Sequence, residues 1–243
     1  MGVLRKLYQK MQFYYSINWT KTLYFNFKKF PFSIAKKLPV YFYGSLKLKD
    51  ISGKIIINAP IESGMIGFGQ SYEIISRSKG IAELNLEGKM VFNGHVQFGK
   101  DYFVYVAPNA TLEMGNMASL GHSGKIICYN SITFGSFARV GFESQLSDTT
   151  AHQMINTLTG EKYPITTPIS IGNFNYISNR VTILAGTKTP DYCSIASNSL
   201  CTKDYTALGQ NVLIGGIPAI LLKNNISRDW EGEMHLLLKW LKV

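Results

Sequence analysis

The sequence holds four histidines, at 95, 122, 152 and 235, and three cysteines, at 128, 193 and 201. No two histidines lie closer than 27 residues and the cysteines lack ligand spacing, so a metal site is not expected and no metal is required. A Gly-x-Ser-x-Gly nucleophile elbow is absent. The cysteines fall inside a repeat and read as structural. What remains is acid–base chemistry. A neutral imidazole, with an ordinary pKa of about 6.5, can take the proton of a hydroxyl as that hydroxyl attacks. His152 lies in a polar stretch over about 150–169, with Gly160, Pro164 and Pro168, that reads as a loop thrown out of a more regular chain. Asp148, four residues earlier, suits either of two roles: orienting the ring, or capping the turn that opens the loop. By position alone His152 reads as a solvated loop histidine.

The elements that would position this loop follow from a period of six. From Ile171 the positions Ile177, Ile183, Thr189, Ile195, Cys201, Ala207 and Leu213 recur in phase, and six of the eight are aliphatic or Cys. Six fits neither a helix at 3.6 nor a long strand at 2. It fits short strands joined by tight bends, with Gly and Asn at the corners. Three such blocks close one triangular coil, and stacked coils bury a continuous column of side chains. Leu120, Ile126, Ile132 and Ala138 carry the same spacing upstream, and strand-rich sequence begins near Ile55. The expected fold is all-β dominated, a parallel β-helix of hexapeptide repeats. The expected divisions are a basic aromatic cap over 1–50, the β-helix over 51–222 and a C-terminal helix over 223–243.

Several motifs together resemble a known family. They are Ser147-Asp148-Thr149-Thr150-Ala151-His152, Thr159-Gly160-Glu161-Lys162-Tyr163, Pro168-Ile169-Ser170-Ile171-Gly172, Thr202-Lys203-Asp204 and Gly215-Gly216-Ile217-Pro218-Ala219. As a set they are similar to the left-handed β-helix acyltransferases, chiefly the galactoside and maltose O-acetyltransferases and the capsule or O-antigen acetyltransferases. The resemblance implies acetyl-CoA as acyl donor, a carbohydrate acceptor, and a homotrimer with active sites between subunits. It implies His152 as general base, with Asp148 beside it. It implies Asn179 and Ser197, one coil apart, along the CoA channel, with Thr202, Lys203, Pro218 and Ala219 at further CoA contacts. Ile220 falls near the place where the galactoside enzymes carry a basic residue, with Lys223 as its substitute. Ser178 and Asn198 depart from the family's usual glycines. The expected reaction is O-acetylation of a sugar hydroxyl in surface polysaccharide synthesis. N-acylation of an amino sugar, or a non-catalytic scaffold, is the alternative.

The net charge is +10, and residues 1–50 account for most of it, with ten Lys or Arg against a single acid, Asp50. The same segment carries 13 of the 31 aromatic residues. Leu4, Leu7, Tyr8, Met11 and Tyr15 predict a helix over 2–15. Basic residues interleaved with aromatics suit either a cap on the open end of the coils or peripheral contact with an anionic membrane. No nucleic-acid motif accompanies them, and nucleic acid is not an expected partner. Trp230, Met234, Leu237, Leu238 and Leu241 form the stripe of a C-terminal helix beginning near Ser227. No secretory leader or spanning stretch is read from the sequence, and a cytoplasmic location, with the inner face of the membrane as its variant, is expected.

Overall fold

The computed structural model describes residues 8, 11–72, 78, 80 and 82–241. The part of the expected 2–15 helix before Tyr8, with residues 9 and 10, lies outside them; residues 11–16 are helical.

Three parallel sheets form the walls of a triangular prism. Face 1 stacks β1 (Val40–Phe42), β4 (Ile66–Gln70), β7 (Val96–Gly99), β10 (Ala118–Leu120), β13 (Arg139–Val140), β16 (Tyr176–Ile177), β18 (Ser194–Ile195) and β20 (Val212–Gly216). Face 2 stacks β2 (Leu46–Asp50), β5 (Ala82–Leu86), β8 (Phe103–Val106), β11 (Lys125–Cys128), β14 (Gln145–Ser147), β17 (Thr182–Leu184) and β19 (Leu200–Cys201). Face 3 stacks β3 (Lys54–Ile57), β6 (Lys89–Phe92), β9 (Thr111–Met114), β12 (Ser131–Phe134) and β15 (Ile169–Ile171), and continues as single bridges from Ser170 to Lys188 to Asp204. Corresponding strands of successive coils pair in parallel, so each coil visits the faces in the order 1, 2, 3. The expected all-β, parallel β-helix class is the one observed. Its first strands, β1 and β2, precede the expected start at residue 51.

Alternation along each short strand points one set of side chains inward. Ile171, Ile177, Ile183, Thr189, Ile195 and Cys201 are all buried, as are Leu120, Ile126, Ile132 and Ala138. The six-residue phase then slips. Ile195 pairs in register with Ile214 rather than Leu213, because a 3-10 turn over Thr206–Leu208 adds a residue to that coil. A one-residue slip reverses which side chain faces in. Ala207 is therefore exposed, Leu213 is half-buried, and Tyr205 fills the interior. Upstream the coils are longer. Val96 pairs with Ala118, 22 residues on, and Ser119 with Arg139, 20 on, against 18 from Tyr176 to Ser194. The wider coils hold rings: Phe42 stacks on Phe68 at 5.2 Å and Phe68 on Phe98 at 4.2 Å.

The three edges carry different loads. At the edge from face 3 to face 1, Phe137, Phe174 and Tyr192 sit at φ 58°, 51° and 55°, a region costly for bulky residues. Stacking offsets that cost: ring centroids are 5.0 Å apart from Phe137 to Phe174 and 4.8 Å from Phe174 to Tyr192. Trp230, at the start of the C-terminal helix (Trp230–Leu241), caps this ladder edge-on at 5.8 Å from Phe174. That helix begins three residues later than expected.

Truncating the ring that links two aromatic coils tests this core. Phe98→Ala should cost about 3–5 kcal/mol, read as a lowered denaturant midpoint with an unchanged slope.

Candidate functional site

The loop that carries His152 leaves the prism at the edge from face 2 to face 3, between β14 and β15. It is a built hairpin. Thr149 bridges Thr166 and Ile155 bridges Lys162, both antiparallel. Gln153 Nε2 donates to the Tyr163 carbonyl at 2.7 Å, and the Tyr163 amide to the Met154 carbonyl at 2.9 Å. Ala151 holds φ 60°, and its amide donates to Thr149 Oγ1 at 2.9 Å. Thr150 Oγ1 donates to the His152 carbonyl at 2.9 Å. The backbone before His152 is thus fixed on both sides. Its side chain is exposed, and among the described residues no hydrogen bond or ion pair engages the ring.

Asp148 corrects one expectation. Its carboxylate is fully buried and accepts from the Tyr129 amide at 2.7 Å and the Asn130 amide at 2.8 Å. Those two charge-assisted bonds tie the hairpin root to the coil below. Asp148 therefore caps the Tyr129-Asn130 corner of the coil below rather than the turn that opens the loop, and among the described residues it makes no hydrogen bond to the imidazole.

The residues expected along the CoA channel divide between two edges. At the edge from face 1 to face 2, Asn179 Oδ1 accepts from Ser197 Oγ at 2.7 Å and from Ser178 Oγ at 3.2 Å. The two serine hydroxyls lie 2.7 Å apart. The 18-residue spacing places Asn179 beside Ser197, and Ser178, where the family has Gly, joins them through its hydroxyl. Gly141 underlies the cluster: a Cβ there would stand 2.9 Å from the Asn179 nitrogen, so the coil below must lack a side chain. The Ile217-Pro218 turn extends the same edge, since the Gly216 amide donates to Ser199 Oγ at 3.1 Å.

Thr202 and Lys203 lie at the other edge, from face 2 to face 3, above the His152 hairpin. Both are exposed, and Lys203 Nζ sits 5.5 Å from the Tyr205 ring centroid. Lys188, which the sequence reading missed, joins them, with Nζ 3.2 Å from Asp204 Oδ2. Bonds from the Thr206 hydroxyl and amide, and then Lys188, hold the Asp204 carboxyl down at about 2. Lys188 was legible in principle, since one coil back from Asp204 the same face carries it. Two expected contacts fit poorly. Ala219 is fully buried, and its carbonyl accepts from Tyr205 Oη at 3.2 Å. Lys223 lies opposite Leu213 on β21 (Ala219–Asn224), which pairs antiparallel with β20 along face 1 and away from both clusters.

The other histidines and the cysteines lie outside both clusters. His122 Nε2 lies 3.7 Å from Asp101 Oδ2, both buried, and Ser78 Oγ donates to Asp101 Oδ1 at 2.6 Å. His95 Nε2 lies 3.6 Å from Glu62. Burial pushes the Cys193 and Cys201 thiols up to about 12, and burial with the Asp148 carboxylate does the same to Cys128.

No family model and no curated protein matches this chain. Among solved structures it is similar to a polySia specific acetyltransferase, NeuO, at 16% identity over 78% of each chain, with a TM-score of 0.48. It is similar to a hexapeptide-repeat acetyltransferase of Vibrio cholerae complexed with acetyl coenzyme A, at 18% identity over 56% of this chain and 70% of that one, with a TM-score of 0.45. It is also similar to AntD, an N-acyltransferase of Bacillus cereus in complex with dTDP-4-amino-4,6-dideoxyglucose and coenzyme A, at 10% identity over 83% and 88%, with a TM-score of 0.48. Likeness this slight assigns no residue and no substrate here.

The raised thiols give a pH prediction. A thiol whose folded pKa lies above its ordinary 9.0 favours the folded state fully below that value, and the advantage is lost as pH rises toward about 12. The denaturation midpoint should therefore fall across that alkaline window. All three cysteines should resist a thiol reagent at neutral pH until the chain unfolds.

Proposed function

We propose that this chain is an acyltransferase that moves an acetyl group from acetyl-CoA to a sugar hydroxyl, with His152 as general base. The observation that carries the reading is the division of the site. The hairpin bearing His152, with Thr202 and Lys203, lies on one edge of face 2. The Asn179, Ser178 and Ser197 cluster lies on the other edge, one to two coils further along. Neither edge is a site alone. Setting the first edge of one copy beside the second edge of the next brings them together, and that head-to-tail contact closes into a ring of three.

The exposed chemistry of the hairpin supports such an arrangement. Met154, Ile155, Tyr163 and Ile165 are exposed, and Leu158 at its tip is 95% exposed. A rigid hairpin with this much apolar surface fits packing against a neighbour. The unengaged imidazole fits a group that meets its partner only in the assembled site.

In the reaction His152 takes the proton of the acceptor hydroxyl as its oxygen attacks the thioester carbonyl carbon. The new C–O bond forms, the C–S bond breaks, and the proton passes on to the departing CoA sulfur. Direct transfer needs no acyl-enzyme, which agrees with three buried, protonated thiols. Asn179 and Ser197 supply hydrogen-bonding groups for the pantetheine amides, and Lys203 and Lys188 supply cations for its phosphates. O-acylation is preferred because a weakly acidic hydroxyl needs a base at the moment of attack. The acceptor read this way is a surface-polysaccharide sugar, and the protein works on the cytoplasmic side of the membrane.

His152→Ala should lower acetyl-CoA turnover with a sugar acceptor by about 10²–10⁴-fold while the oligomer sedimenting in the ultracentrifuge is unchanged. Ser197→Ala should instead raise KM for acetyl-CoA and leave kcat nearly intact. Full turnover in the His152 variant would remove that residue from its role.

A further inference from the structure

The N-terminal segment closes the open end of the prism. Helix α1 (Trp19–Lys29) lies across the free edge of β1. Asn26 Nδ2 donates to the Val40 carbonyl at 2.7 Å, its Oδ1 accepts from the Val40 amide at 3.2 Å, and Thr22 Oγ1 accepts from the Phe42 amide at 3.0 Å. Phe25 packs on Phe42 at 5.0 Å. The buried face of α1, Thr22, Phe25 and Asn26, thus satisfies backbone groups that an open sheet edge would leave unpaired.

The opposite face of α1 points away from the coils and is also apolar. Leu23 and Phe27 follow one another a turn apart and are exposed, with Tyr24 beside them, while Trp19 leans back onto Tyr41 with ring centroids 5.9 Å apart. Phe32, 71% exposed, extends the patch and touches the Phe27 ring at 6.1 Å. A cap needs one apolar face; this helix has two. Exposed Lys28, Lys36 and Lys37 border the patch. On its flank, Lys21, Lys47 and Lys49 line a cleft of about 510 Å³ with Glu83. Lys29 is not part of this ring, because it turns inward to donate to the Ile51 and Gly53 carbonyls.

Charge decides what covers the patch. No acidic residue occurs before Asp50. A second copy placed face to face would set like charges against each other, and the rest of the chain has no net negative charge to offer. An aromatic stripe within a ring of lysines matches the boundary of an anionic bilayer, where rings sit among headgroups and lysines meet lipid phosphates. We propose that this outer face docks the chain on an anionic phospholipid surface as a monotopic contact. The root of the His152 hairpin then stands four coil steps away, roughly 19 Å at about 4.8 Å per parallel strand.

Flotation of the full-length protein with phosphatidylcholine vesicles, with and without phosphatidylglycerol, tests this docking. Binding is expected to the anionic vesicles and to weaken with salt. Lys36→Gln and Lys37→Gln should each weaken it about fivefold. Leu23→Ser with Phe27→Ser should abolish it, while circular dichroism and acetyl transfer to a soluble acceptor stay unchanged. Loss of fold in that pair leaves the lysine variants, whose side chains are free in solvent, as the deciding measurement. No binding to anionic vesicles, or equal binding to neutral ones, would overturn the proposal. So would tighter binding to single-stranded nucleic acid than to vesicles, or self-association that Leu23→Ser with Phe27→Ser removes.

Discussion

Parallel strands stacked in register impose one constraint on everything else in this protein: each side chain sits directly on the corresponding side chain of the next coil. Inside, that turns single residues into columns, aliphatic in the later coils and aromatic in the earlier ones. At the corners it turns unusual backbone angles into a repeated feature. Phe137, Phe174 and Tyr192 tolerate positive φ because their rings stack on one another and their amides donate to the coil below. A fold made this way has no natural central cleft. Its chemistry is displayed in lines along the edges.

The three lines differ in kind, and the difference follows from what each edge must do. The edge from face 3 to face 1 is apolar and is covered by the C-terminal helix, with the Arg228 guanidinium 4.8 Å from the Trp230 ring centroid. The edge from face 1 to face 2 carries hydroxyls and an amide bonded to one another, with Ser197 exposed and Ser178 and Asn179 half-buried. The edge from face 2 to face 3 throws out the hairpin and carries lysines. The two polar edges border the same face, whose outward side at the level of the two clusters carries Gln145, Ser147, Thr182 and Leu184, half-buried or exposed. The proposed site draws one group from each of these edges, which is why the proposed site and the proposed assembly are one idea.

The repeat was legible wherever the coil length equals three hexads. Ile177, Ile183, Ile195 and Cys201 could be read straight from the spacing. It faded where coils grow, because an extra residue at a corner costs little in the structure and destroys phase in the sequence. That explains both the weak upstream signal and the failure at Ala207 and Leu213. The pairing of Asn179 with Ser197 was legible because it spans one perfect coil. The role of Asp148 was not. Four residues from His152 is close in sequence, but the carboxylate faces the coil beneath and bonds the Tyr129 and Asn130 amides. Nor could spacing reveal that the expected CoA contacts occupy two edges, since a step of five residues from Ser197 to Thr202 crosses a whole face.

The long axis gives the molecule a polarity that no single coil possesses. One end is capped by a basic, doubly apolar helix, and the His152 hairpin and polar edges lie in the later coils. If the cap rests on a bilayer, the reacting hydroxyl stands above it by the height of the intervening coils. A sugar attached directly at the headgroup would then lie below the hairpin, whereas a residue further along a lipid-linked chain would reach it. The number of coils between cap and hairpin thereby acts as a ruler.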